Sequence, residues 1–284
     1  MGSYLRPTEL GDALRALGAQ SPRAIVAGGT DFYPARVGRI PDEDILDITA
    51  LPLGGIEERA DHWRIGALTT WSQLAAAPLP PCFDALKAAA REVGGVQIQN
   101  TGTLAGNLCN ASPAADGVPP LLAMDAEIVL ASAGGERRVP LAHFVTGNRK
   151  TARRADELVV AIQVPKPAPD TGSTFLKLGA RRYLVISIAM VGGVVEADAN
   201  GLVTHIRLGI GACAATPQRL DALERELIGT PLATASSRAT SSHLAHLSPI
   251  DDVRASATYR RGAALQLTRD LLHTLATQTS RRAA

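Results

Sequence analysis

Two stretches carry chemistry that a plain globular scaffold does not need. In the first, IVAGGTD, an apolar strand-like segment, Ala24 to Ala27, delivers the backbone into Gly28-Gly29-Thr30. Consecutive glycines expose successive peptide N–H groups with no side chain over them, which makes a nest for a phosphate or diphosphate. Taken alone, an ordinary glycine turn between two strands is the better description. Asp31 has the wrong charge for an anion site, so its carboxylate is expected to point away and pin the loop.

The second stretch, VQIQNTGTLAGNLCNASPAADGVPPLLAMD, covers residues 96–125. Gly102, Gly106 and Asn107 allow backbone conformations and close approaches that most residues cannot make. Thr101, Thr103, Asn110, Ser112 and Asp116 concentrate donors and acceptors, and Pro113, Pro119 and Pro120 stiffen the run. It passes directly into apolar sequence that reads as buried, so an ordered loop is expected. The residue types favour a loop wrapped around a polar ligand. A loop that merely satisfies its own backbone stays open as the alternative.

Other candidates are weaker. GIGACA, Gly209 to Ala214, matches the dinucleotide pattern G-x-G-x-x-A after a strand. The helix that should start inside it is delayed to Thr216-Pro217, and no acidic residue ends a second strand about 20 positions on. A close-packed strand end is expected there. His243 and His246 lie three apart with no third ligand nearby in sequence, so no metal site is expected. Cys82, Cys109 and Cys213 are scattered, forming neither a ligand pair nor a disulfide framework. Cys82 and Cys213 read as small buried hydrophobes. Hydrolase, metalloprotease and phosphate-loop signatures are absent.

The elements that must position these stretches follow from periodicity. Leu10, Ala13, Leu14 and Leu17 have helical spacing, with Thr8 as N-cap and Gly18 as stop. DILDIT is a second strand beside the first glycine loop. HWRIG is a strand leading to a helix capped by Thr70. In FDALKAAAREVG, Phe83, Leu86, Ala89, Ala90 and Val93 share one helical face, stopped by Gly94-Gly95. DAEIVLAS and ELVVAIQVP read as strands. The linker from Pro165 to Ser173 separates them from TFLKLG, VISIAMVGGVVEAD and GLVTHIRLGIGAC, three further strands. The last places Leu202, Thr204, Ile206 and Leu208 on one face and Val203, His205 and Arg207 on the other. PQRLDALERELIG and ATYRRGAALQLTRDLLHTLA are helical, so the C-terminal part is α+β.

Bulk properties narrow the partners. The net charge is +2, from 29 basic and 27 acidic residues, and 46% of the 284 residues are hydrophobic. That balance argues against nucleic acid or an anionic membrane as the main partner. No apolar run reaches the ~18 residues that span a bilayer. MGSYLRPTEL lacks the basic-then-apolar pattern of a secretory signal, so a reducing cytoplasm is expected.

Together the motifs resemble the FAD-binding medium subunit of molybdenum hydroxylases. This family includes the medium subunits of carbon monoxide dehydrogenases and the flavin domain of xanthine dehydrogenases. AGGTD and TGTLAGNLCNASPAADGVPPLLAMDA carry most of the resemblance. HFVTGNRKT, FLKLGARRYLVISIAMV and SATYRRGAALQLTRDLL follow in the family's order. The resemblance implies a vanillyl-alcohol-oxidase-type α+β fold. Two FAD-binding subdomains, 1–54 and 55–168, would precede a C-terminal α+β domain, 169–284.

The same resemblance implies that Ile25, Val26, Ala27, Gly28, Gly29, Thr30 and Asp31, with Phe32 beside them, hold the diphosphate. Gly102, Thr103, Gly106, Asn107, Cys109, Asn110 and Asp116 would line the FAD, with Val159 and Lys177 beside the flavin. Lys177 would place a positive charge near the reduced ring and raise its potential. The FAD would be non-covalent. A large subunit would hold the molybdenum cofactor and a small one two [2Fe-2S] clusters, in a dimer of heterotrimers. Electrons would pass on to NAD, oxygen, a quinone or another carrier. Val185 stands where the family often has Asp, removing any hydrogen bond from that carboxylate to a neighbouring Arg. No cysteine cluster for an additional iron–sulfur centre is present. A stand-alone flavin reductase on this fold, or a non-enzymatic assembly subunit, are the rivals. The YRR-containing C-terminal segment favours the subunit.

Overall fold

The computed structural model describes residues 2–19, 22–39 and 41–283. The N-terminal sheet has strand order β1-β3-β2, from β1 (Tyr4–Leu5), β2 (Arg23–Val26) and β3 (Asp44–Asp47), all parallel. Helix α1 (Leu10–Leu17) links the first two and buries Ala13 and Leu17. Its N-cap is Glu9 rather than Thr8, and Glu9 makes no side-chain cap bond. The parallel pairing carries β2 straight into the glycine loop, which the strand end therefore aims.

The second sheet has the order β4-β5-β10-β6-β7, built from β4 (Ile56–Glu58), β5 (His62–Gly66), β6 (Glu127–Ser132), β7 (Gly135–Pro140) and β10 (Leu158–Pro165). Central β10 is a nearly continuous apolar run and is buried. The outer strands β4 and β7 are rich in charge, so they show no apolar alternation in sequence. Charge at a sheet edge discourages pairing with another chain. Helices α2 (Trp71–Ala76) and α3 (Asp84–Glu92) pack against each other. Thr70 caps α2 through a full capping box with Gln73.

Residues 96–125 are not a loop. They form α4 (Val96–Thr101), α5 (Leu104–Asn110) and α6 (Val118–Ala123). The Thr103 hydroxyl accepts the Gly106 N–H at 3.0 Å and caps α5, while Leu104, Ala105 and Leu108 are buried on one face. Helices this short are unstable alone, so packing rather than propensity holds them. A short α7 (Leu141–Phe144) and the hairpin β8 (Val145–Gly147) and β9 (Lys150–Thr151) complete this part. Trp71, Phe83, Leu104, Leu108, Leu121 and Phe144 lie in its core.

The C-terminal sheet is an antiparallel ladder, β11 (Gly172–Leu178), β12 (Ala189–Ala197), β13 (Val203–Gly211) and β14 (Gln218–Arg219). Helix α8 (Asp221–Leu227), α9 (Ala235–Arg238) and the long α10 (Ala257–Ala283) follow. The expected alternation on β13 fails at its start. A bulge opposite Glu196 and Ala197 puts Val203 in the core and leaves Thr204 exposed. GIGACA is a close-packed strand end. A Cβ at Gly209 would lie 2.4 Å from the Pro119 carbonyl oxygen, so the glycine lets α6 dock directly on the sheet. Arg260 of the YRR segment is buried. It donates to the carbonyls of Ile188 (2.6 Å) and Ala212 (3.3 Å) and to Asp252 (2.7 Å), clamping α10 to two strand ends.

Candidate functional site

The two sequence stretches meet backbone to backbone. A Cβ at Gly28 would lie 2.0 Å from the Thr101 carbonyl oxygen, so only glycine permits this contact. Gly29 has φ +68°, and a Cβ there would lie 2.5 Å from the Tyr33 ring. Among the described residues, the N–H groups of Gly28, Gly29 and Thr30 donate to no protein acceptor. The turn is fastened from behind, by Tyr33 N–H to Gly29 O (3.1 Å) and Ala35 N–H to Asp31 O (3.3 Å). The Asp31 carboxylate is exposed and makes none of these bonds, so the main chain pins the loop in its place.

A cleft of about 440 Å3 opens along this junction, within the usual range for small-molecule and cofactor sites. Ile25, Val26, Ala27, Gly28, Gly29, Thr30, Asp31 and Phe32 form one wall. Gly102, Thr103, Gly106, Asn107, Cys109 and Asn110 form the other, with Val159 from β10 also lining it. Asn107 Oδ1 accepts the Gly117 N–H at 3.4 Å, tying α5 to the start of α6. Cys109 stands at the cleft surface, and the protein packed around it pushes its thiol up to about 11, as burial does for Cys82 and Cys213.

Asp116 and Lys177 do not line this cleft. Lys177 Nζ donates to Asp116 Oδ2 at 3.1 Å and to the carbonyls of Glu92 (3.3 Å) and Val185 (3.4 Å). Ser187 Oγ donates to Asp116 Oδ1 at 2.7 Å. Burial raises the Asp116 carboxyl above its usual range, against the pull of Lys177 and Ser187. The Val185 position therefore contributes a main-chain acceptor to Lys177.

Several lining residues were missed from sequence. Arg149 and Arg153 stand at the Asn110 end, and Trp71, Val93 and Ile98 at the other. Arg149 has φ +59° and donates its main-chain N–H to Ala111 O at 2.9 Å. Its guanidinium donates to Asn110 Oδ1. Arg153 Nη1 donates to the carbonyls of Glu157 (2.7 Å), Arg154 (2.9 Å) and Ala155 (3.4 Å). Behind it, Glu157 accepts from Arg137 at 2.5 and 2.8 Å and from the Arg154 N–H at 2.7 Å. The signal was the run RKTARR, residues 149–154, with four cations in six positions. An anion nest calls for nearby countercharge.

N–H groups in series, no room for a Cβ at either glycine, and arginines in the lining fit a dinucleotide with a diphosphate bridge. A family model described as the FAD binding domain in molybdopterin dehydrogenase matches residues 1–167. Another, described as the CO dehydrogenase flavoprotein C-terminal domain, matches residues 174–275. The nicotinate dehydrogenase FAD-subunit of Eubacterium barkeri is 36% identical over 227 residues, 77% of this chain and 76% of that protein. The putative xanthine dehydrogenase FAD-binding subunit of Escherichia coli is 36% identical over 266 residues, covering 91% and 90%. The solved carbon monoxide dehydrogenase from Hydrogenophaga pseudoflava superposes with TM-score 0.86 at 28% identity, over 98% of each chain.

Proposed function

Because the chain belongs to the family of FAD-binding medium subunits of molybdenum hydroxylases, we propose that it is the FAD-carrying, electron-transferring subunit of such a complex. The observation that carries this reading is the cradle at Gly28, Gly29 and Thr30. Among the described residues its N–H donors meet no protein acceptor, and Gly28 and Gly29 leave no room for a side chain. Bound non-covalently there, FAD supplies reversible one- and two-electron transfer.

The chain's own residues bind and orient. The N–H groups of the glycine turn meet the diphosphate. The wall from Gly102 to Asn110 closes the opposite side, and Val159 contributes apolar contact. Asp116 and Lys177 hold α6 against β11, setting the spacing between the segments before and after the linker. The units 1–54, 55–168 and 169–284 carry the glycine turn, the opposing wall and the C-terminal clamp respectively.

In this reading a small subunit with [2Fe-2S] clusters delivers electrons and a large subunit with the molybdenum cofactor oxidises the substrate. An external acceptor takes the electrons from this chain, and the assembly is a dimer of heterotrimers. The relatives that support it are named as FAD subunits or medium chains of nicotinate, xanthine and carbon monoxide dehydrogenases. Among the described residues no helix is long and apolar enough to cross a membrane, and the compartment we propose is the cytoplasm. Affinity capture of the native complex through this chain tests the assignment. Molybdenum, iron and FAD together are expected; a chain recovered with FAD but without either metal would point instead to a stand-alone flavin enzyme.

A further inference from the structure

The cleft is asymmetric. At the Thr103 end of α5 its lining is apolar and aromatic, with Trp71, Val93 and Ile98. At the Asn110 end, one helix length or about 10 Å away, stand Arg149 and Arg153. Unlike Arg23 and Arg36 of the same lining, which pair with Asp44 and Glu43, neither is paired with a carboxylate among the described residues, and in both only Nη1 is engaged by a protein acceptor. The bonds they do make fix their positions. Arg149 is held by Asn110 and Ala111, Arg153 by three carbonyls of a turn that Glu157 and Arg137 lock from behind.

A guanidinium held by one nitrogen, with the remaining fork free, is ready to bind phosphate or ribose oxygens or to stack on a purine. The glycine turn already offers its N–H groups to the diphosphate. The apolar end suits a large ring, which leaves the cationic end for the other half of the dinucleotide. We propose that Arg153, assisted by Arg149, recognises the adenosine monophosphate half of the cofactor and makes the site selective for FAD over FMN. This rests on the FAD reading above and deepens it.

The test is equilibrium titration of the flavin-free full-length chain with FAD and separately with FMN, read by flavin fluorescence. Variants are Arg153→Ala, Arg153→Lys and Arg149→Ala, each checked by thermal melting. The wild-type chain is expected to bind FAD more tightly than FMN. Arg153→Ala is expected to weaken FAD about 10- to 100-fold, the size of a lost charge-assisted contact, with FMN affinity unchanged. Arg153→Lys, keeping the charge without the fork, should recover only part of the loss. If Arg153→Ala does not fold, Arg149→Ala decides in the same way, with a smaller loss confined to FAD. Equal losses for FAD and FMN, or no loss of FAD in any variant, would overturn the proposal while leaving the FAD reading standing. A wild-type chain that binds neither flavin would remove both.

Discussion

Lys177 on β11 and Asp116 ahead of α6 meet at 3.1 Å with side chains only 6% and 12% exposed. The pair joins residues that lie 61 positions apart, on opposite sides of the Pro-rich linker. Its energetics follow from desolvation. Two buried charges roughly offset each other's cost, but one left alone does not.

Lys177→Met should therefore destabilise the chain by about 3–5 kcal/mol at neutral pH, because Asp116 is left buried without its cation. The double variant Lys177→Met with Asp116→Leu should cost clearly less than the sum of the singles. Urea unfolding of the four proteins measures this coupling. Additive losses would mean that the pair contributes nothing beyond its separate packing.

Acid sensitivity has a different source. The Arg137 guanidinium holds the Glu157 carboxyl below its usual range, and the Arg254 N–H, with Arg260, holds Asp252 below its own. Both folded values are depressed, so both contributions are present above the unfolded carboxylate range, near pH 4. They are lost as pH falls through the folded values. Glu157→Gln should flatten the fall in unfolding midpoint between about pH 5 and 3. A curve parallel to that of the wild type would rule out Glu157 as a contributor.

Two glycine replacements should move stability in opposite directions. Gly262 lies exposed within α10, and a Cβ added there would meet open space, so Gly262→Ala should stabilise by roughly 0.5–1 kcal/mol. Gly209→Ala drives its Cβ to 2.4 Å from the Pro119 oxygen and should destabilise by roughly 1–3 kcal/mol. Melting temperatures suffice to check both signs.

Much of this architecture was legible because periodicity and turn chemistry agreed. The strand into Gly28, the Thr70 cap, the face of α3 and the strands before and after the linker follow from local pattern. The helices within 96–125 did not, because glycine, asparagine and proline mask their periodicity and tertiary packing supplies their stability. Strands β4 and β7 were hidden by edge charges, and the bulge before Thr204 inverted an otherwise clean alternation. At the site, the glycine turn and the Gly102–Asn110 segment stood out by residue type, and the structure brings them together along one cleft. Arg149 and Arg153 were not, since a surface cation run looks the same in sequence whether it faces solvent or a cleft. The mutual pairing of Lys177 and Asp116 depends on a contact across the linker that local pattern does not encode.

The central claim is that the turn at Gly28 and the wall beginning at Thr101 close on FAD. Titrating FAD into the flavin-free wild-type chain and Gly28→Ala, with matched melting curves, tests it most directly. Stoichiometric binding is expected of the wild type. At least a ~100-fold weaker complex is expected of Gly28→Ala, whose Cβ would sit 2.0 Å from the Thr101 oxygen and force the walls apart. A wild-type chain that takes up no FAD, or a folded Gly28→Ala chain that binds it as tightly as the wild type, would contradict the claim.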